Sequence, residues 1–68
     1  MIIYKSLSKQ ELIQDANISQ YILRQWLHQS ADILRQFNVS PKAKVLPPAV
    51  VRLLSERYQF MPRNAVIK

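Results

Sequence analysis

Residues Asn17 to Leu27, reading Asn-Ile-Ser-Gln-Tyr-Ile-Leu-Arg-Gln-Trp-Leu, constrain this chain more than any other stretch, because its 68 residues contain no glycine. Without glycine, left-handed turns must be made by other residues, and asparagine tolerates that conformation best. Asn17 therefore reads as a helix stop, and Ser19 as the cap of the next helix. Ile18 between them is a lone apolar residue, of the kind that fills the angle between two helices crossing steeply.

The helix that follows has two faces. Ile22, Leu23, Trp26 and Leu27 recur at i, i+1, i+4, i+5 and make one apolar face, with Trp26 expected in the core. Gln20, Tyr21, Arg24, Gln25 and His28 make the other. Those side chains are long, uncharged or cationic, whereas an ordinary solvated helix face mixes both signs of charge. That asymmetry is the strongest functional signal in the chain.

The remaining elements follow from local chemistry. Ile2-Ile3-Tyr4 is a short β-prone lead. Ser8-Lys9-Gln10-Glu11 fits a capping box, with Leu7 and Leu12 at the spacing of a hydrophobic staple, so a first helix begins there and buries Leu12, Ile13 and Ala16. Ser30 is placed to cap a third helix through Phe37, in which Ile33, Leu34 and Phe37 fall at helical spacing and Asp32 suits the positive end of the dipole. Asn38 terminates it. Val39 to Lys44 is polar, basic and broken by Pro41, a loop or a vestigial wing with Val45 and Leu46 extended. Pro47-Pro48 cannot lie inside a helix but can begin one, which buries Val50, Val51, Leu54 and Tyr58, with Arg52 and Glu56 as a surface pair. After Phe60-Met61-Pro62, Ala65-Val66-Ile67 has the pattern to pair with Ile2-Ile3-Tyr4 as an antiparallel ribbon.

The expected fold is mainly α: a single compact domain, 1–68, of three to four helices with a helix-turn-helix. The helices cover about 8–16, 19–29, 31–37 and 48–58 and the tail covers 59–68; the wing is reduced or absent, and a short terminal β-ribbon is allowed. So small a chain has room for one core only.

Charge and composition narrow the function. Ten Lys and Arg oppose four Asp and Glu, a net charge of +6 that steers the domain toward polyanions, of which nucleic acid is the commonest. No cysteine and a single histidine exclude a structural zinc site, and no cofactor is expected. Glu11, Asp15, Asp32 and Glu56 are the only carboxylates, each isolated or given a structural use, so no acid/base pair forms and no enzyme is expected. No apolar run has membrane-spanning length, and Met1 to Lys5 is too short and too soon polar for a secretory signal. A cytoplasmic setting is the expectation.

The order of β-prone lead, Leu7-Ser8-Lys9-Gln10-Glu11-Leu12, Asn17-Ile18-Ser19 and Ile22-Leu23-Arg24-Gln25-Trp26 resembles the N-terminal helix-turn-helix of MerR-like and excisionase-like DNA-binding proteins. Leu46-Pro47-Pro48-Ala49-Val50-Val51-Arg52-Leu53-Leu54 is similar to the segment that returns from the wing in those proteins. In style the chain resembles small helix-turn-helix proteins of Bacteroides-type bacteria. The resemblance implies that Ser19, Gln20 and Tyr21 begin a recognition helix facing the major groove and that Arg24 meets the DNA backbone. Asn17 stands where the family has a turn glycine, Leu27 where an acid often follows, and a helix and the Lys42–Lys44 loop where it has a Gly- and Arg-rich wing.

The residue types agree with that role. Glutamine donates and accepts together against adenine, so Gln20 and Gln25 suit base edges, while Tyr21 can bond a phosphate or pack on a thymine methyl. Arg24, Lys9, Lys42 and Lys44 suit phosphates, and His28 extends the same stripe by one turn. The expected function is binding of double-stranded DNA, as a transcription regulator or an excisionase-like architectural factor, with a homodimer as a possible form. The alternative is a protein-interaction module on the same scaffold, suggested by the apolar Phe60, Met61, Val66 and Ile67.

Overall fold

Ser8 ends a two-residue strand and starts a helix, and both roles follow from its geometry in the computed structural model, which describes all 68 residues. Its hydroxyl accepts the Glu11 amide at 3.1 Å while the Glu11 carboxylate accepts the Ser8 amide at 3.4 Å, the reciprocal pattern of a capping box. The helix so begun, α1 (Lys9–Ala16), ends at Asn17, whose φ of 55° and ψ of 50° are left-handed. The amide of Ile18 donates to the Ile13 carbonyl at 3.1 Å, satisfying a carbonyl the helix end would otherwise leave open. Ser19 then caps α2 (Gln20–Gln29), its hydroxyl accepting the Ile22 amide at 3.2 Å. Three residues thus turn the chain from one helix to the next, with Ile18 half-buried against the core.

The other two helices are α3 (Ala31–Gln36) and α4 (Pro48–Tyr58), and the four together hold about half the chain. Helix α4 starts at Pro48, as the Pro-Pro dipeptide requires, and ends at Gln59, again left-handed with φ 55°. Asn38, beyond α3, is the third residue with positive φ, at 54°. With no glycine in the chain, two asparagines and a glutamine carry the left-handed stops.

Two ribbons of two strands each tie the helices together. Strand β1 (Ile2–Ile3) pairs antiparallel with β4 (Val66–Ile67), Ile2 opposite Ile67 and Ile3 opposite Val66, as the terminal apolar pattern anticipates. Strand β2 (Leu7–Ser8) pairs antiparallel with β3 (Val45–Leu46), Leu7 opposite Leu46. The sequence pattern makes Val45 and Leu46 extended but hides their partner, because Leu7 and Ser8 are already explained by the staple and the cap. Pairing puts Leu7 and Leu46, both almost completely buried, side by side under the helices.

The core joins Leu7 and Leu46 to Leu12 of α1, Leu23 and Leu27 of α2, Ile33 and Leu34 of α3, and Val50, Val51 and Leu54 of α4. Every helix contributes. Removing one of the larger side chains by substitution with alanine costs roughly 2–5 kcal/mol, a large part of the stability of so small a domain.

Two local expectations are corrected. Ser30 makes no side-chain cap to α3. Its side chain is buried instead, accepting from Arg57 Nη1 at 3.1 Å and lying 3.2 Å from the Tyr58 hydroxyl, because α4 packs across the α2–α3 junction. Trp26 is half-buried rather than central: its indole stacks on Tyr58, centroids 4.2 Å apart, and packs on Phe60 at 5.9 Å, at the edge of the core. The expected tail, residues 59–68, is tied to the domain beyond its ribbon as well. Pro62 is buried, Asp15 accepts the Arg63 amide at 2.9 Å, and Asn64 Nδ2 donates to the Ser6 carbonyl at 3.0 Å.

Candidate nucleic-acid interface

On α2, positions 20, 24 and 28 succeed one another at intervals of four, so Gln20, Arg24 and His28 form one stripe along the helix. The buried Leu23 and Leu27 lie beside that stripe and hold it against the rest of the molecule. Facing it across an open groove of about 760 Å³ are Lys9, Gln10, Ile13 and Gln14 of α1, with Ala31 and Pro41 completing the lining. The capping box aims the start of α1, and the left-handed Asn17 sets the corner, so the groove is a direct product of the local sequence.

A second depression continues from the first. Ser8, Lys9, Gln10, Lys42, Ala43, Lys44 and Val45 line it, and Lys9 and Gln10 belong to both. One strip therefore carries six of the nine expected DNA-contacting residues: Gln20, Arg24 and His28 from α2, Lys9 from α1, Lys42 and Lys44 from the loop. The loop is fixed in place. Lys9 donates its backbone amide to the Lys44 carbonyl at 3.0 Å and its ammonium to the Pro41 carbonyl, and Ser40 Oγ accepts the Lys42 amide at 3.1 Å. Partial burial pushes the Lys9 ammonium below the usual lysine value, since desolvation disfavours the charged form.

Neither depression is lined by an acidic residue. All four carboxylates of the chain have partners elsewhere: Glu11 in its capping box, Asp15 with Arg63 at 3.4 Å, Asp32 with Arg57 at 3.5 Å, and Glu56 with Arg52 at 3.2 Å. Arg57 holds the Asp32 carboxyl below the ordinary carboxylate value. Three of the five arginines are thus engaged with carboxylates, while Arg24 at the groove and Arg35 on α3 have no carboxylate partner.

The remaining three expected residues lie outside the strip. The Ser19 hydroxyl is occupied as a cap, and Tyr21 and Gln25 stand on the neighbouring stripe of α2, where Gln25 Nε2 donates to the Tyr21 hydroxyl at 3.0 Å. Tyr21 is 66% exposed and free to meet a ligand that overhangs the groove. Conversely, the expectations from sequence overlook Gln10 and Gln14, which present two amides to the groove from one side of α1. Their spacing of four was the available signal.

No group of three His, Cys, Asp or Glu side chains is disposed to hold a metal ion. No helix is long and apolar enough to cross a membrane. Comparison with protein-family models, with curated proteins and with solved structures gives no match to this chain.

Proposed function

We propose that this chain is a DNA-binding domain in which α1, the Asn17–Ser19 corner and α2 act as a helix-turn-helix of the MerR-like and excisionase-like kind. Helix α2 enters the major groove with Gln20, Arg24 and His28, flanked by Tyr21 and Gln25, while Lys9, Lys42 and Lys44 hold phosphates. The observation that carries this reading is the continuous strip of cations and amides from α2 across Lys9 to the Lys42–Lys44 loop, lined by no carboxylate. A surface of that kind attracts a polyanion and offers hydrogen-bonding groups where it docks. The domain serves as a transcription regulator or an excisionase-like architectural factor in the cytoplasm.

Binding of the purified chain to duplex DNA at several salt concentrations tests the proposal. Affinity is expected to fall steeply with salt, and Arg24→Ala, Lys42→Ala and Lys44→Ala together should lower the logarithmic salt slope by about three, one for each cation taken from a phosphate. Salt-independent binding, or a slope the triple variant leaves unchanged, would overturn it.

A second reading, docking of a protein partner or a second copy, is favoured by the apolar side chains of the terminal ribbon. Ile67 is 75% exposed, and Met61, Val66 and Ile2 are also exposed. Phe60 does not count toward it, being packed on Trp26. Sedimentation of the free chain tests the second copy: a monomer at every concentration tested removes the homodimer.

A further inference from the structure

The groove between α1 and α2 holds three glutamines, Gln10, Gln14 and Gln20, contributed from both of its walls. Neutral amides release no counterions, so what they offer a nucleic acid is hydrogen bonding, to phosphate oxygens at the margin and to base edges within the groove. A glutamine amide presents a donor NH2 group and an acceptor oxygen side by side in one plane. In the major groove only adenine offers the complement side by side, its N6 amino group and its N7. Guanine offers two acceptors, cytosine one donor, and thymine one acceptor beside a methyl group. Each amide here also lacks an intramolecular partner, unlike Gln25, whose Nε2 is bonded to Tyr21.

We infer that this groove is an adenine-reading site, in which Gln14 and Gln20 from opposite walls pair with adenine edges and Gln10 stands beside Lys9 at the phosphate margin. This rests on the DNA-binding reading and extends it by assigning base contacts to α1 as well as α2. All three glutamines are exposed, so alanine at these positions leaves the core untouched, and alanine is itself a good helix former.

Selection from a random-sequence duplex pool by the full chain, followed by affinity measurements on the recovered sequence, tests the inference. Adenines are expected to be enriched within a short recovered motif. Replacing those adenines by 7-deazaadenine, which removes N7 and leaves every phosphate in place, should weaken binding roughly tenfold per adenine so replaced. Gln14→Ala with Gln20→Ala should abolish the preference for the recovered sequence over unselected duplex.

A pool without adenine enrichment overturns the inference and leaves salt-dependent DNA binding standing. So does a preference that the double variant retains, or one that 3-deazaadenine rather than 7-deazaadenine weakens, since the latter result would place the contact in the minor groove. Failure of the chain to bind any duplex overturns both readings together.

Discussion

The indole of Trp26 lies flat on the phenol ring of Tyr58, with centroids 4.2 Å apart and planes 3° from parallel. From that stack the Tyr58 hydroxyl reaches the Trp26 carbonyl and Gln29 Oε1, each at 3.3 Å, and the buried Ser30 Oγ at 3.2 Å. Helix α4 is thereby latched to the C-terminal end of α2 through side chains that take no part in lining the groove of Arg24.

Tyr58→Phe keeps the stack and removes the latch. It should lower stability by about 1–2 kcal/mol, with a fall in Tm of roughly 5–10 °C. Trp26, the only tryptophan, reports the transition by fluorescence. DNA affinity should not move, and an unchanged Tm would show that the hydroxyl contributes nothing.

Gln59 occupies a left-handed position that favours glycine. Gln59→Gly is expected to stabilise the domain by about 0.5–1 kcal/mol, because relief of the Cβ clash outweighs the added freedom of the unfolded chain. Urea unfolding measures it; a lower midpoint at unchanged slope refutes the strain argument.

Asp15 is nearly buried and binds Arg63 twice, through the backbone amide at 2.9 Å and the guanidinium at 3.4 Å. Asp15→Ala should cost about 1–2 kcal/mol, reduced by the exposure of Arg63 to solvent. Hydrogen exchange at the β1–β4 ribbon should quicken in this variant while exchange within α2 keeps its relative protection. Uniform acceleration would mean that the terminal segment unfolds only with the whole domain.

Asp32 gives the stability a defined response to acid. Its carboxyl is held below the ordinary value, first by the hydrogen bond from Arg57, so the folded state binds the proton more weakly than the unfolded one. The contribution is complete above the usual carboxylate pKa and is lost as pH falls through the lowered value. Asp32→Asn should therefore flatten part of the acid limb of a Tm against pH curve below about pH 5. Superimposable curves would exclude the pair as a stabilising one.

Local signals in the sequence are legible wherever one residue decides a backbone state. Ser8 with Glu11, Asn17, Ser19 and Pro48 place three helix starts and one stop within a residue of their positions, since caps and prolines act through their nearest neighbours. The β1–β4 ribbon is legible because both ends of the chain carry β-branched runs. What escapes depends on distant partners. Ser30 looks like a cap until Tyr58 and Arg57 claim its hydroxyl, and Leu7 looks like a staple until Leu46 pairs with it. The site shows the same division. The stripe of Gln20, Arg24 and His28 follows from helical periodicity, whereas Gln10 and Gln14 join it only once α1 is folded against α2.

The bonds from Lys9 to the carbonyls of Lys44 and Pro41 also bear on the thermodynamics of binding. A loop bearing two lysines would ordinarily surrender its backbone freedom on meeting a ligand, and the complex would be weakened accordingly. Here those two bonds already restrict that freedom in the free domain. Lys9→Ala, which removes the ammonium bond to Pro41, should thus appear in calorimetry as a more unfavourable binding entropy, beside the loss of one cation.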